Sequence, residues 1–93
     1  MTTRGLMLAL LLVAPPALAA ELPHEVAEFV ARRDRCDHFR GEDAENPARI
    51  REIQRGLRAN CEGTDAALAR LKQRFAGHAA ARAVLDRYDD AVE

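Results

Sequence analysis

From Leu22 onward the apolar residues of this chain recur three or four positions apart and do not alternate in the strict manner of a half-buried strand. Leu22, Val26, Phe29, Val30, Cys36 and Phe39 follow a period near 3.6 and predict a helix from about Leu22 to Arg40. Pro23 suits its first turn, where a missing N–H costs nothing, and Gly41 is placed to supply a left-handed cap. Asn46 and Pro47 read as an N-cap followed by proline at the first helical position. That second helix carries Ile50, Ile53, Leu57 and Cys61 on one stripe and ends at Glu62 and Gly63. A third starts at Thr64 as N-cap, with Asp65 favourable to the helix dipole, buries Leu68, Leu71 and Phe75, and stops at Gly77. A fourth runs from about His78 to Ala91 and presents Val84, Leu85 and Tyr88. β-Branched residues are few and scattered, so no strand is expected. The prediction is an all-α single domain over residues 20–93, a bundle of four short helices of which the first is longest.

The segment before Leu22 has a different pattern. Arg4 gives a basic start, Leu6 to Ala14 carries no charge, and two prolines lead into Ala17, Leu18, Ala19 and Ala20. This is the layout of a secretory signal peptide over residues 1–19, with cleavage after Ala19 or Ala20. An apolar run of roughly 9 residues falls well short of the ~20 that span a bilayer as a helix. No cysteine follows it to take a lipid. The expected product is a soluble periplasmic protein without a membrane anchor.

Export changes the meaning of the two cysteines. In a short exported chain, Cys36 and Cys61 predict one disulfide, with a free thiol or an intermolecular bridge as the alternatives. The closed loop would stabilise the fold by about 3.5 kcal/mol in the chain-entropy model. For so small a domain this is a large share of the total. The bridge also restricts packing. Were the second helix folded tightly back on the first, Cys36 would lie ~6 Å from the turn and Cys61 ~21 Å from it. The helices must therefore be staggered or cross steeply, leaving Val26 and Phe29 to be covered by the third and fourth.

Charge removes one class of function. Without Arg4, thirteen basic groups face fifteen acidic ones, so no overall basic excess exists to hold nucleic acid. Arginine outnumbers lysine 13 to 1, which reads as the codon bias of a GC-rich bacterial genome.

The candidate chemistry is concentrated in Cys36-Asp37-His38-Phe39-Arg40-Gly41-Glu42. Asp34 and His38 stand at i, i+4, and Asp37 and Arg40 at i, i+3, so each pair can meet on a helix surface. Asp34 and His38 could be two metal ligands or an acid orienting a base. Zinc requires three or four ligands, however, and His24 and His78 are distant in sequence. The plainer alternative is a helix end, where the dipole favours His38 and Arg40. Followed by the acidic loop Glu42, Asp43 and Glu45, this end forms a stapled platform for a partner. Arg51, Arg55 and Arg58, at i, i+4, i+7, make a basic stripe on the second helix that suits anionic lipid, peptidoglycan carboxylates or an acidic protein surface, or is simply solvated. Asp86, Asp89, Asp90 and Glu93 read as a solvated tail, with a salt link to Arg32, Arg33 and Arg35 as the alternative.

The heptapeptide, together with Cys61-Glu62-Gly63-Thr64-Asp65 opening a helix, resembles small uncharacterised exported proteobacterial proteins over roughly Val26 to Tyr88. The resemblance implies a periplasmic address and one disulfide; it supplies no activity, cofactor or catalytic residue. With one Tyr, three Phe, no Trp and no phosphate-binding glycine loop, the chain has little room for an enclosed substrate cavity. The expected function is a binding or accessory module for another envelope protein or a cell-wall component, with no cofactor. The competing class is a small metal-binding protein or hydrolase-like enzyme centred on Asp34, Asp37, His38 and Arg40.

Overall fold

A computed structural model describes residues 22–93 and, before them, Gly5 alone. The signal peptide assigned to residues 1–19 therefore lies outside the described residues. The described chain is helical: α1 is His24–Arg40, α2 Pro47–Cys61, α3 Thr64–Arg74 and α4 Ala79–Leu85. Among the described residues no helix is long and apolar enough to cross a membrane.

Helix α1 buries Val26, Phe29, Arg33 and Cys36, a stripe at i, i+3, i+7, i+10. Pro23 sits just outside the helix, with extended backbone at φ −53° and ψ 141°. Its carbonyl accepts from the amides of Val26 and Ala27 at 3.0 and 3.1 Å. Gly41 does not provide a left-handed cap: at φ −87° it keeps right-handed geometry, and its N–H donates to the Asp37 and His38 carbonyls at 3.2 Å.

Helix α2 starts as its sequence predicts. The Asn46 side chain accepts from the amides of Ala48 and Arg49 at 2.8 and 3.4 Å, and Pro47 occupies the first helical position. Gly63, at φ 76°, is the sole left-handed residue among those described, and it is also the N-cap of α3. Thr64, predicted to be that cap, lies within the first turn and is buried. Its hydroxyl is 3.5 Å from Arg33 instead of serving its own helix.

Helix α4 ends six residues before the predicted Ala91. Acidic side chains are unfavourable at a helix C-terminus, and the backbone beyond Leu85 finds other partners. The amides of Val92 and Glu93 donate to the Asp65 carboxylate at 3.0–3.1 Å, and the Asp89 carbonyl accepts from Arg33 at 2.6 Å. Residues 86–93 thus fold back over the start of α3.

The main core joins Val26 and Phe29 of α1, Leu68 and Leu71 of α3, and Ala81 and Leu85 of α4. Tyr88 closes one side, its ring edge-on to Phe29 at 5.6 Å. Val26 and Phe29 are covered by α3 and α4, as the disulfide geometry required. Helix α2 contributes nothing to this cluster.

Cys36 and Cys61 form a disulfide, with Cα atoms 5.0 Å apart. Around it Arg32 donates to the Ala59 and Glu62 carbonyls, Arg35 donates to Asn60 at 3.0 Å, and Phe39 faces Gly56. These pairings make α2 antiparallel to α1 and staggered along it. With Cys61 opposite Cys36, Pro47 begins about 15 Å past the end of α1 at 1.5 Å per residue. The connection from Gly41 to Asn46 is long enough for that reach, since six residues span up to ~20 Å.

Candidate functional site

The stapled end of α1 and the helix it carries hold every predicted surface residue, and the structure separates them into two groups. The first is internally neutralised. The Asp37 carboxylate accepts from Arg33 at 3.2 Å and Arg40 at 3.3 Å. His38 Nε2 lies 3.1 Å from Glu42. Glu42 in turn accepts from one Arg49 nitrogen with both oxygens, at 2.5 and 2.6 Å, while Arg49 also holds Glu52 at 2.7 Å. The hydrogen bonds from Arg49 hold the Glu42 carboxyl below the usual carboxylate range, assisted by His38. The same contacts raise the Arg49 guanidinium above its ordinary value. Glu42 is thus a tie between the loop and α2, not the negative rim expected from its position in an acidic loop.

The second group faces outward. Arg51, Arg55 and Arg58 are exposed and form no ion pair among the described residues. At 100° per residue they fall within a wedge of about 60° on the side away from Ile53 and Gly56. Exposed Ala48 and Ala59 flank the row. Ile50, predicted to lie on the buried stripe, is 37% exposed. The reason is the stagger: the first turns of α2 project beyond α1, so an apolar position there has less to pack against.

Asp34 and His38 do not meet. Asp34 accepts from the Tyr88 hydroxyl at 2.8 Å, whereas His38 turns to Glu42. Burial, with Asp34 beside it, pushes the Tyr88 hydroxyl up to about 12. The other histidines serve local structure: His24 lies 2.8 Å from Glu28, and His78 Nδ1 accepts from the Ala81 amide at the start of α4. Among the described residues no three His, Cys, Asp or Glu side chains gather in a way that could hold a metal ion.

A shallow cleft of about 250 Å3 lies between α1 and α3, with Phe29 and Leu71 at its base and Glu25, Glu28, Arg32 and Arg70 around it. Glu25 reaches Arg74 at 2.8 Å, Glu28 reaches His24, and Arg32 is committed to α2 carbonyls. Glu25, Glu28 and Arg32 are therefore each engaged with a neighbour.

Arg33 is the decisive residue that sequence reasoning placed only in a generic basic cluster. It is fully buried and links Asp37, Thr64 and the Asp89 carbonyl, with Asp65 3.9 Å away and its guanidinium 5.7 Å from the Tyr88 ring centre. A signal was present: residue 33 continues the Val26, Phe29, Cys36 stripe. The C-terminal acids are accordingly not a free tail. Lys72 holds Asp90 at 2.8 Å, and Glu93 accepts from the Asp65 amide at 3.0 Å. Closure onto α1 is made through the Asp89 carbonyl and Tyr88, in place of the carboxylate salt link considered from sequence.

Comparison with known proteins finds no matching family model, curated protein or solved structure.

Proposed function

We propose that this protein is an exported, periplasmic binding module that engages another envelope component through the outward side of α2. The observation that supports this reading most directly is the position of α2. It is excluded from the main core, tied to α1 by the disulfide and by arginine side chains, and turned so that Arg51, Arg55 and Arg58 face solvent. Loops and helices fixed on a rigid support are suited to recognition because little ordering entropy is lost on binding. The Cys36–Glu42 corner acts as the fastening for this element, since its charged groups already satisfy one another.

Photo-crosslinking in the living periplasm tests the reading. A probe at Gln54, on the exposed side of α2, is expected to give discrete protein adducts that a probe at Ala83 on α4 does not. Equal patterns from both positions, or none from Gln54, would remove α2 as the binding surface.

A further inference from the structure

We infer that the partner segment recognised by α2 is an acidic helix whose carboxylates lie along one face at three- and four-residue intervals. This rests on the binding role proposed for α2 and specifies its ligand chemistry. Charge is distributed unevenly over the described chain. Helix α2 holds four arginines and one glutamate, a net +3, while the remaining described residues hold nine basic and thirteen acidic groups, a net −4. The field around α2 therefore selects a negative partner although the whole chain is weakly acidic.

The spacing narrows that partner further. Arg51, Arg55 and Arg58 succeed one another by about 6 and 4.5 Å along the helix axis. Carboxylates on a second helix lying alongside have the same intervals when they occur at i, i+4, i+7 or its reverse. Arginine can bind each carboxylate through two parallel N–H groups, which favours a fixed acidic side chain over a diffuse negative surface. The molecule already contains one arginine–carboxylate pair on this helix: Arg49, on the side of α2 that carries Gly56 and Asn60, donates from one nitrogen to both oxygens of Glu42 in the folded-back loop. Arg51, Arg55 and Arg58 present the same donors to solvent. Exposed Ala48 and Ala59 beside the row leave room for a second backbone. An anionic bilayer fits less well. The apolar stripe of α2 packs against α1, so no broad apolar face remains for insertion, and the net negative remainder opposes adsorption.

The test is an NMR titration of the isotopically labelled protein, disulfide intact, with an alanine-based helical peptide bearing glutamates at i, i+4 and i+7. A peptide with glutamines at those positions is the control. Saturable shifts confined to the outward side of α2 are expected, with binding of the glutamine peptide weaker by about tenfold, the effect of three modest ion pairs. Replacing Arg51, Arg55 and Arg58 together by glutamine should weaken binding to the same extent while leaving the circular dichroism spectrum unchanged. Glutamine at Arg70, Arg82 and Arg87, which removes equal charge elsewhere, should leave binding intact. Equal affinity for the two peptides, wild-type binding by the α2 variant, or binding of phosphatidylglycerol vesicles without binding of the peptide would overturn the inference. So would self-association of the protein through this row, detected by sedimentation. Protein adducts from Gln54 combined with no preference for the glutamate peptide would leave the binding role standing and remove the acidic helix alone.

Discussion

The two halves of α1 are stabilised in different ways. Its N-terminal half lies in an apolar core with α3 and α4, and the C-terminal segment is locked over that core by Arg33, Asp65 and Tyr88. Its other side and last turns meet α2, through a disulfide, a glycine–phenylalanine contact and exposed arginine hydrogen bonds. Burial holds the first region by removing apolar surface from water. The second buries Ile53 and the Phe39–Gly56 contact outside that core, and a covalent link adds to them. This difference explains how a short chain can present a helix outside its own core without losing a defined shape.

Removing the bridge should break the comparison most strongly. Cys36→Ser with Cys61→Ser is expected to cost about 3.5 kcal/mol in the chain-entropy model for this separation. The loss should fall unevenly: amide hydrogen exchange should accelerate throughout α2 before it does so in α3. Uniform loss of protection would show that the two regions unfold as one.

Arg33→Ala should affect the other region. It removes the donor to Asp89 and Thr64 and leaves a void beneath Tyr88, at a cost of about 3 kcal/mol. Exchange at Val92 and Glu93 should rise with it. Arg33→Lys should not restore stability, because one ammonium cannot serve several partners in the geometry of a guanidinium.

A smaller effect sharpens the account of the α1–α2 contact. A Cβ at Gly56 would meet the Phe39 ring at 2.4–2.6 Å. Gly56→Ala should therefore destabilise by about 1 kcal/mol, overpacking outweighing the gain in helix propensity. In a Phe39→Ala background the same change should stabilise by about 1 kcal/mol. Denaturation midpoints of the four proteins measure this cycle.

Extremes of pH should report on the C-terminal closure. Tyr88 ionises at about 12 in the folded protein and near 10 in the unfolded chain, so its contribution is complete below pH 10 and is lost as pH rises towards 12. Asp65 behaves oppositely. The Val92 amide, then that of Glu93 and the Arg33 charge, hold its carboxyl below the ordinary range. Its contribution is present above the unfolded value and disappears as acid titrates through the depressed one. Tyr88→Phe should abolish the alkaline loss, and Asp65→Asn should reduce the acidic one to the part that Glu42 contributes, in melting experiments at each pH.

Much of this organisation was legible in the chain. The starts of α2 and α4, the Val26 and Phe29 stripe, the Cys36–Cys61 pairing and the need for a stagger all follow from local rules or simple lengths. The corrections fall where a partner distant in sequence alters a local preference. Thr64 turns to Arg33 and leaves the cap to Gly63; α4 stops short because Asp65 and Arg33 take up the backbone beyond it; Ile50 stays exposed because α2 overhangs its support. Glu42 is drawn from an acidic loop by Arg49, which no motif connects to it.

Sequence by itself determined the helical class, the starts of α2 and α4 and the covalent link, because these depend on periodicity, capping and cysteine count within short spans of chain. Only the tertiary structure decided which arginines are spent and which remain outward. A guanidinium binds whichever carbonyl or carboxylate the packing brings within reach, and residues such as Asp89 and Arg33, 56 positions apart, become neighbours only after the helices have assembled.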